Sequence, residues 1–90
     1  MADPVPTVTI RVRYFAGAKA AAGVAEESVD VQAGSTISDV LMTLGTRHGE
    51  ALERVLTAAS YLVDGVAVRD KSNVVTERIR LDVLPPFAGG

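Results

Sequence analysis

Ninety residues are enough for one domain with one core, and too few for a second lobe closing over an enzyme cleft. Apolar residues make up 48% of the chain and charged residues 22%, a globular composition that argues against overall disorder. Nine basic and 11 acidic residues give a net charge of -2 without a basic block, so no nucleic-acid partner is expected, and the lack of cysteine excludes disulfides, thiolate metal sites and a cysteine nucleophile.

The stretch from Met1 to Pro6 holds Asp3 and two prolines where a targeting segment would place basic residues and an apolar run. No later segment approaches ~20 consecutive apolar residues. The expectation is a cytoplasmic protein without a membrane partner, with residues 1–6 disordered, residues 7–84 folded and residues 85–90 forming a flexible tail.

Thr7 to Tyr14 alternates, with Val8, Ile10, Val12 and Tyr14 on one face and Thr7, Thr9, Arg11 and Arg13 on the other, which predicts a half-buried strand. Phe15 to Gly23 is rich in alanine and glycine, and alternation resumes over Ser28 to Gln32 through Val29 and Val31. A hairpin with a long, helix-compatible connection follows. Ala33-Gly34 makes a break, and Thr36 with Asp39 three residues later has the form of a capping box. Ile37, Val40, Leu41 and Leu44 recur at helical spacing, so a helix is expected from about Ile37 to about His48, ended by a left-handed Gly49.

Leu52, Val55 and Leu56 fit a further short helical turn or irregular structure. Tyr61–Val63, Asp64-Gly65 and Val66–Val68 read as a tight hairpin. From Arg78 to Leu84, Ile79, Leu81 and Val83 oppose Arg80, Asp82 and Leu84, until Pro85-Pro86 removes two backbone donors and ends sheet pairing. The order strand, strand, helix, strand, strand, strand packs most simply as an α+β β-grasp fold. That is a mixed sheet of four to five strands around one main helix, and a right-handed crossover would set the first and last strands side by side in its middle.

The segment Pro85-Pro86-Phe87-Ala88-Gly89-Gly90 is stiff at its base, carries one aromatic and narrows to two residues without side chains. Six extended residues reach at most ~20 Å, far enough to carry the chain end into a neighbouring protein's site. Glycine suits the tip, because a β-carbon would widen the chain where an enzyme closes around a terminal carboxylate. Gly90, with Gly89, is therefore the expected reacting end. Leu84, Pro85, Pro86, Phe87 and Ala88 are the expected partner contacts, with Leu84 and Phe87 offering apolar surface.

Other polar residues have bland readings. His48 suits a helix end interacting with the last carbonyls and cannot form a zinc site alone. Glu26-Glu27 and Asp70-Lys71 are expected in solvated loops, Ser35 and Ser38 as capping residues, and Gly17 and Gly23 as loop punctuation.

Arg13-Tyr14-Phe15-Ala16 with Gly23 downstream, Val63-Asp64-Gly65, and above all Leu84-Pro85-Pro86-Phe87-Ala88-Gly89-Gly90 resemble the small subunit of molybdopterin synthase, over roughly Val8 to Gly90. The chain departs from that pattern at Arg78-Ile79, where a Gly-Asp turn is usual, and at Asp64, where asparagine is common. The resemblance implies a ubiquitin-like sulfur carrier that binds no cofactor itself. An adenylating enzyme like the ubiquitin-activating enzymes would use ATP and magnesium to activate the Gly90 carboxylate, and a sulfur donor protein would convert it to a thiocarboxylate. The large synthase subunit would then pass the sulfur to a cyclic pterin phosphate precursor within a heterotetramer. Alternatives are a sulfur carrier for thiamine or cysteine synthesis, a ubiquitin-like modifier joined to lysines, and a β-grasp binding module without covalent chemistry.

Overall fold

Alternation writes the first strand. Ile10, Val12 and Tyr14 are buried in β1 (Thr7–Tyr14) while Arg11 stays exposed, as period two demands. The computed structural model describes residues 6–86. Helix α1 (Gly17–Ala22) follows and ends at Gly23, whose φ of 79° supplies the left-handed cap that L-residues resist. Strand β2 (Glu26–Gln32) returns antiparallel to β1, pairing Arg13 with Glu26 and Thr7 with Gln32.

The two-residue β3 (Ser35–Thr36) leads directly into α2 (Ile37–His48). Thr36 and Asp39 form the reciprocal capping box, each accepting from the other's amide at 3.0 Å. Thr36 is thus the capping residue, and Ser35 lies in β3 rather than serving as a cap. Gly49 has a positive φ of 96° but an extended ψ of -171°, so it does not take the left-handed helix-end conformation expected of it. It turns the chain at once into α3 (Glu50–Ala58), a nine-residue helix where only a short turn or irregular structure was read. Leu52 and Leu56, four apart, bury one side of α3 against α2 and α1.

Strands β4 (Ser60–Val63) and β5 (Val66–Ala67) form the tight hairpin. Asp64 and Gly65 both have positive φ, 48° and 85°, which is the two-residue turn whose twist matches antiparallel strands. Strand β6 (Val74–Val75) pairs with β3 as a separate ribbon that the sequence did not reveal, since two residues are too few to show a period. The last strand is β7 (Ile79–Leu84).

The main sheet has the order β2-β1-β7-β4-β5, with β1 and β7 parallel at its centre and the other pairs antiparallel. The inner face carries Ile10, Val12, Val29, Leu81 and Val83 against Val40, Leu44 and Leu52 of the helices, in one core. The expected β-grasp architecture is therefore present, with two helices in addition to the main one.

Candidate functional site

Strand β7 holds the base of the C-terminal segment. It lies between β1 and β4, and the Phe15 amide donates to the Val83 carbonyl at 3.1 Å, one residue before Leu84. Leu84 is half-buried and faces Ser60 across the β7–β4 pair. Pro85 and Pro86 are exposed and can donate no backbone hydrogen bond, so the chain leaves the sheet at its centre rather than from an edge or a loop. Phe87, Ala88, Gly89 and Gly90, the other residues assigned to the reacting end and its contacts, lie outside the described residues.

The outer face of the sheet joins this base. One row of residues crosses all five strands there, in the order Glu26, Arg13, Asp82, Leu62, Ala67. Arg13 holds Asp82 with both arms of its guanidinium, Nε to Oδ1 at 2.7 Å and Nη2 to Oδ2 at 3.0 Å, while Arg80 Nε stands 3.7 Å from the same carboxylate. Asp82 is only 3% exposed, and the Arg13 hydrogen bonds hold its carboxyl below the ordinary value against the opposing effect of burial. Arg13 also stacks on Phe15, its guanidinium carbon 5.4 Å from the ring centroid. Beyond it, Arg11 pairs with Glu26 at 2.7 Å, both well exposed.

A second polar cluster lies on the helical side. Glu27 belongs to β2, not to a solvated loop, and the strand's alternation points it to the same face as Val29 and Val31. Its carboxylate accepts from the Tyr14 hydroxyl at 2.5 Å and from Arg47 Nη1 at 2.9 Å, and His48 Nε2 meets it at 2.5 Å. His48 therefore ties the end of α2 to the sheet through its side chain rather than by the helix-end carbonyl contact expected for it, with its ring edge-on to Tyr14. Burial works to raise the Glu27 carboxyl, but the hydrogen bonds from Tyr14, His48 and Arg47 outweigh it and hold it low. Burial first, and then Glu27, push the Tyr14 phenol well up. A carboxylate already engaged by three groups is poorly placed to take a proton from a substrate, so this cluster is a clasp between β1, β2 and α2. Among the described residues no group of three or more histidine, aspartate or glutamate side chains could hold a metal ion.

Sequence reading passed over both clusters. Glu27 was legible by extending the Val31, Val29 alternation one step back, and Asp82 by noting that it stands across the central strands from Arg13. Asp70 matches its expected exposed loop setting, where it accepts from the Ser72 amide at 2.9 Å and hydroxyl at 2.6 Å.

The ThiS family model matches residues 12–90, nearly the whole chain. The chain belongs to the ThiS family. Its fold and family make it a ubiquitin-like sulfur carrier. Among solved structures, it is similar to a putative molybdopterin converting factor subunit 1 from Pyrococcus furiosus (23% identity, TM-score 0.75, covering 89% of this chain and 99% of that one). It is also similar to SAMP1, a small archaeal modifier protein of Haloferax volcanii (28% identity, TM-score 0.76, covering 91% and 99%). A third likeness is to a chain in the complex of subunits 1 and 2 of molybdopterin-converting factor from Helicobacter pylori (19% identity, TM-score 0.59, covering 92% and 100%). No curated protein sequence matches the chain significantly. Among the described residues no helix is long and apolar enough to cross a membrane.

Proposed function

We propose that this ThiS-family carrier is the small subunit of a molybdopterin synthase and works through the carboxylate of Gly90. The observation that carries the reading is the family match running to Gly90, over a segment whose base is a central strand ended by two prolines. A carboxylate is a poor electrophile, so the first step is attack of a Gly90 oxygen on the α-phosphorus of ATP, releasing pyrophosphate and giving an acyl adenylate. A persulfide on a donor protein then attacks the carbonyl carbon, forming the C–S bond as the C–O bond to AMP breaks and leaving an acyl disulfide to the donor. A thiol next cleaves that S–S bond, ending in a disulfide with the donor's sulfur and freeing the thiocarboxylate. In the large subunit, that sulfur passes to a cyclic pterin phosphate precursor, and water restores the carboxylate.

The acids, bases and phosphate contacts of these steps belong to the partners. The chain has no glycine-rich phosphate loop of the G-x-x-x-x-G-K-[ST] kind. Its part is to be adenylated, charged and docked, with ATP and magnesium bound by the adenylating enzyme. The Arg13-Tyr14-Phe15-Ala16 and Leu84-Pro85-Pro86 segments favour the pterin pathway over carriers for thiamine or cysteine synthesis.

Incubation of the purified chain with its adenylating enzyme, ATP, magnesium and a sulfur donor is expected to add the mass difference of sulfur for oxygen, read by intact-mass spectrometry. Release of that sulfur on adding the large subunit and the pterin precursor identifies the pathway. A second reading, a protein modifier, is favoured by the likeness to the archaeal modifier protein. It predicts isopeptide-linked conjugates carrying Gly90 on lysines of other proteins.

A further inference from the structure

Two open strand edges border one groove on the inner side of the sheet. β5 is the outermost strand of the five-stranded sheet, and β6 pairs with β3 alone, so each keeps one unpaired edge. On β5, the Val68 amide donates to the Tyr61 carbonyl of β4 at 3.0 Å. An antiparallel ladder turns alternate residues the other way, so Ala67 points its N–H and C=O away from β4. On β6, the carbonyls of Asn73 and Val75 accept from the amides of Ile37 and Gly34 at 3.0 and 2.8 Å, on the β3 side. Val74, between them, therefore turns its backbone groups outward. Beyond the strand pairings, the described residues give Ala67 and Val74 no backbone hydrogen bond, and both line the same groove.

The wall of the groove is apolar. Val63, Val66, Val68, Val74, Val75 and Ile79 form most of it, around a volume of about 280 Å³. Val66 pairs with Val63, and Val63 with the core residue Leu81, so this row faces the helices. Val66 and Val74 nevertheless stand 70% and 60% exposed, apolar surface that a ligand would take out of water. The one charged residue of the wall is Glu77, exposed and without an ion pair among the described residues. The Asn73 side chain, also unpartnered there, can both donate and accept. Ile79 opens β7 and Leu84 closes it, so the groove lies about 17 Å along the strand from the base of the C-terminal segment.

We infer that this groove binds an extended segment of a partner protein as a short added strand, with apolar residues at alternate positions and a lysine or arginine that meets Glu77. The backbone decides the kind of occupant. A compact small molecule would use the valine wall and leave both strand edges unpaired, whereas an extended peptide uses main-chain hydrogen bonds for affinity and alternate side chains for specificity. The charge decides its composition. A carboxylate alone on an apolar wall selects a basic segment, and it disfavours a second copy of this chain, whose matching face brings valines and another Glu77 but no cation. β5 and β6 are two residues each, so the pairing is short and readily exchanged. The inference goes beyond the carrier reading and does not depend on it: a partner held at the Ile79 end of β7 leaves Leu84 and the prolines open to another protein.

The probe is the blocked peptide acetyl-Lys-Val-Thr-Val-Lys-Val-amide, titrated into the isotope-labelled full chain and followed by amide chemical shifts. Saturable shifts of the Ala67 and Val74 amides are expected, with Asp30 of β2, on the opposite edge of the sheet, unmoved. N-methylation of alternate peptide amides keeps the side chains and removes the donors, and should weaken binding at least tenfold. Glu77→Lys, checked for folding by circular dichroism, should bind the peptide about fivefold more weakly and recover affinity when glutamate replaces the peptide's lysines. No saturable shift at Ala67 or Val74, equal binding of the N-methylated peptide, or unchanged affinity in folded Glu77→Lys would overturn the inference. Shifts of the same two amides on concentrating the chain alone would assign the groove to a second copy and overturn it as well.

Discussion

Arg13 of β1 and Asp82 of β7, 69 residues apart in sequence, meet in a two-armed ion pair across the parallel central strands. The partners are unequally exposed: the Asp82 side chain is 5% accessible and that of Arg13 38%. Loss of the arginine therefore strands a buried charge, whereas loss of the aspartate leaves a guanidinium that can turn to water. Arg13→Ala is expected to destabilise the fold more than Asp82→Ala, with the Arg13→Ala/Asp82→Ala double variant losing less than the sum of the two single losses. Urea denaturation of the variants measures this, and strictly additive losses would contradict the coupling.

Acid should act through two carboxylates. Glu27 and Asp82 both have folded-state values held below the ordinary range. Each therefore binds protons less readily folded than unfolded, so its contribution is complete above the unfolded value of about 4 and is lost as pH falls through the lower folded value. Stability should be flat from neutral pH to about 5 and drop below about 4. Glu27→Gln should lower stability at pH 7 by ~1–3 kcal/mol and make the acid drop shallower. A variant with the wild-type acid profile would show that Glu27 does not carry it.

The reacting end and the fold should fail separately. The core runs from Ile10 to Val83, and Leu44 is fully buried within it. Leu44→Ala is expected to destabilise the domain by ~2–5 kcal/mol while the remaining folded protein is still adenylated. Deletion of Gly90 should leave the melting curve unchanged and nearly abolish adenylation, because it draws the carboxylate back by ~3.5 Å, beyond what nucleophilic attack tolerates. A fully active Gly90 deletion would show that the terminus is not the reacting group.

The sequence made most of the main sheet and α2 legible, because period two in Thr7–Tyr14 and Ile79–Leu84 and the stripe of Ile37, Val40, Leu41 and Leu44 are each long enough to show. Features set by tertiary partners did not show. Strands β3 and β6 exist only through each other. Helix α3 buries just Leu52 and Leu56 fully, so its apolar pattern is thin, and packing on α1 and α2 decides it. Glu27 was read as solvated, and Asp82 only as lying on the face opposite Leu81 and Val83, because an acidic residue gives no local sign of the arginine, tyrosine or histidine that will meet it. At the C-terminal segment the motif was plain, but the arginines beside it emerge only when β1 and β7 are set together.

The parallel placement of β1 and β7 has a mechanical consequence. A partner drawing on the C-terminus loads β7 along its own axis, with β1 bonded on one side and β4 on the other. Both ladders then bear the load in shear, many hydrogen bonds at once, and cannot be unzipped one by one as an edge hairpin could. A pull on the chain beyond Pro86 is thus taken up at the centre of the sheet, and the domain behind it acts as a fixed anchor.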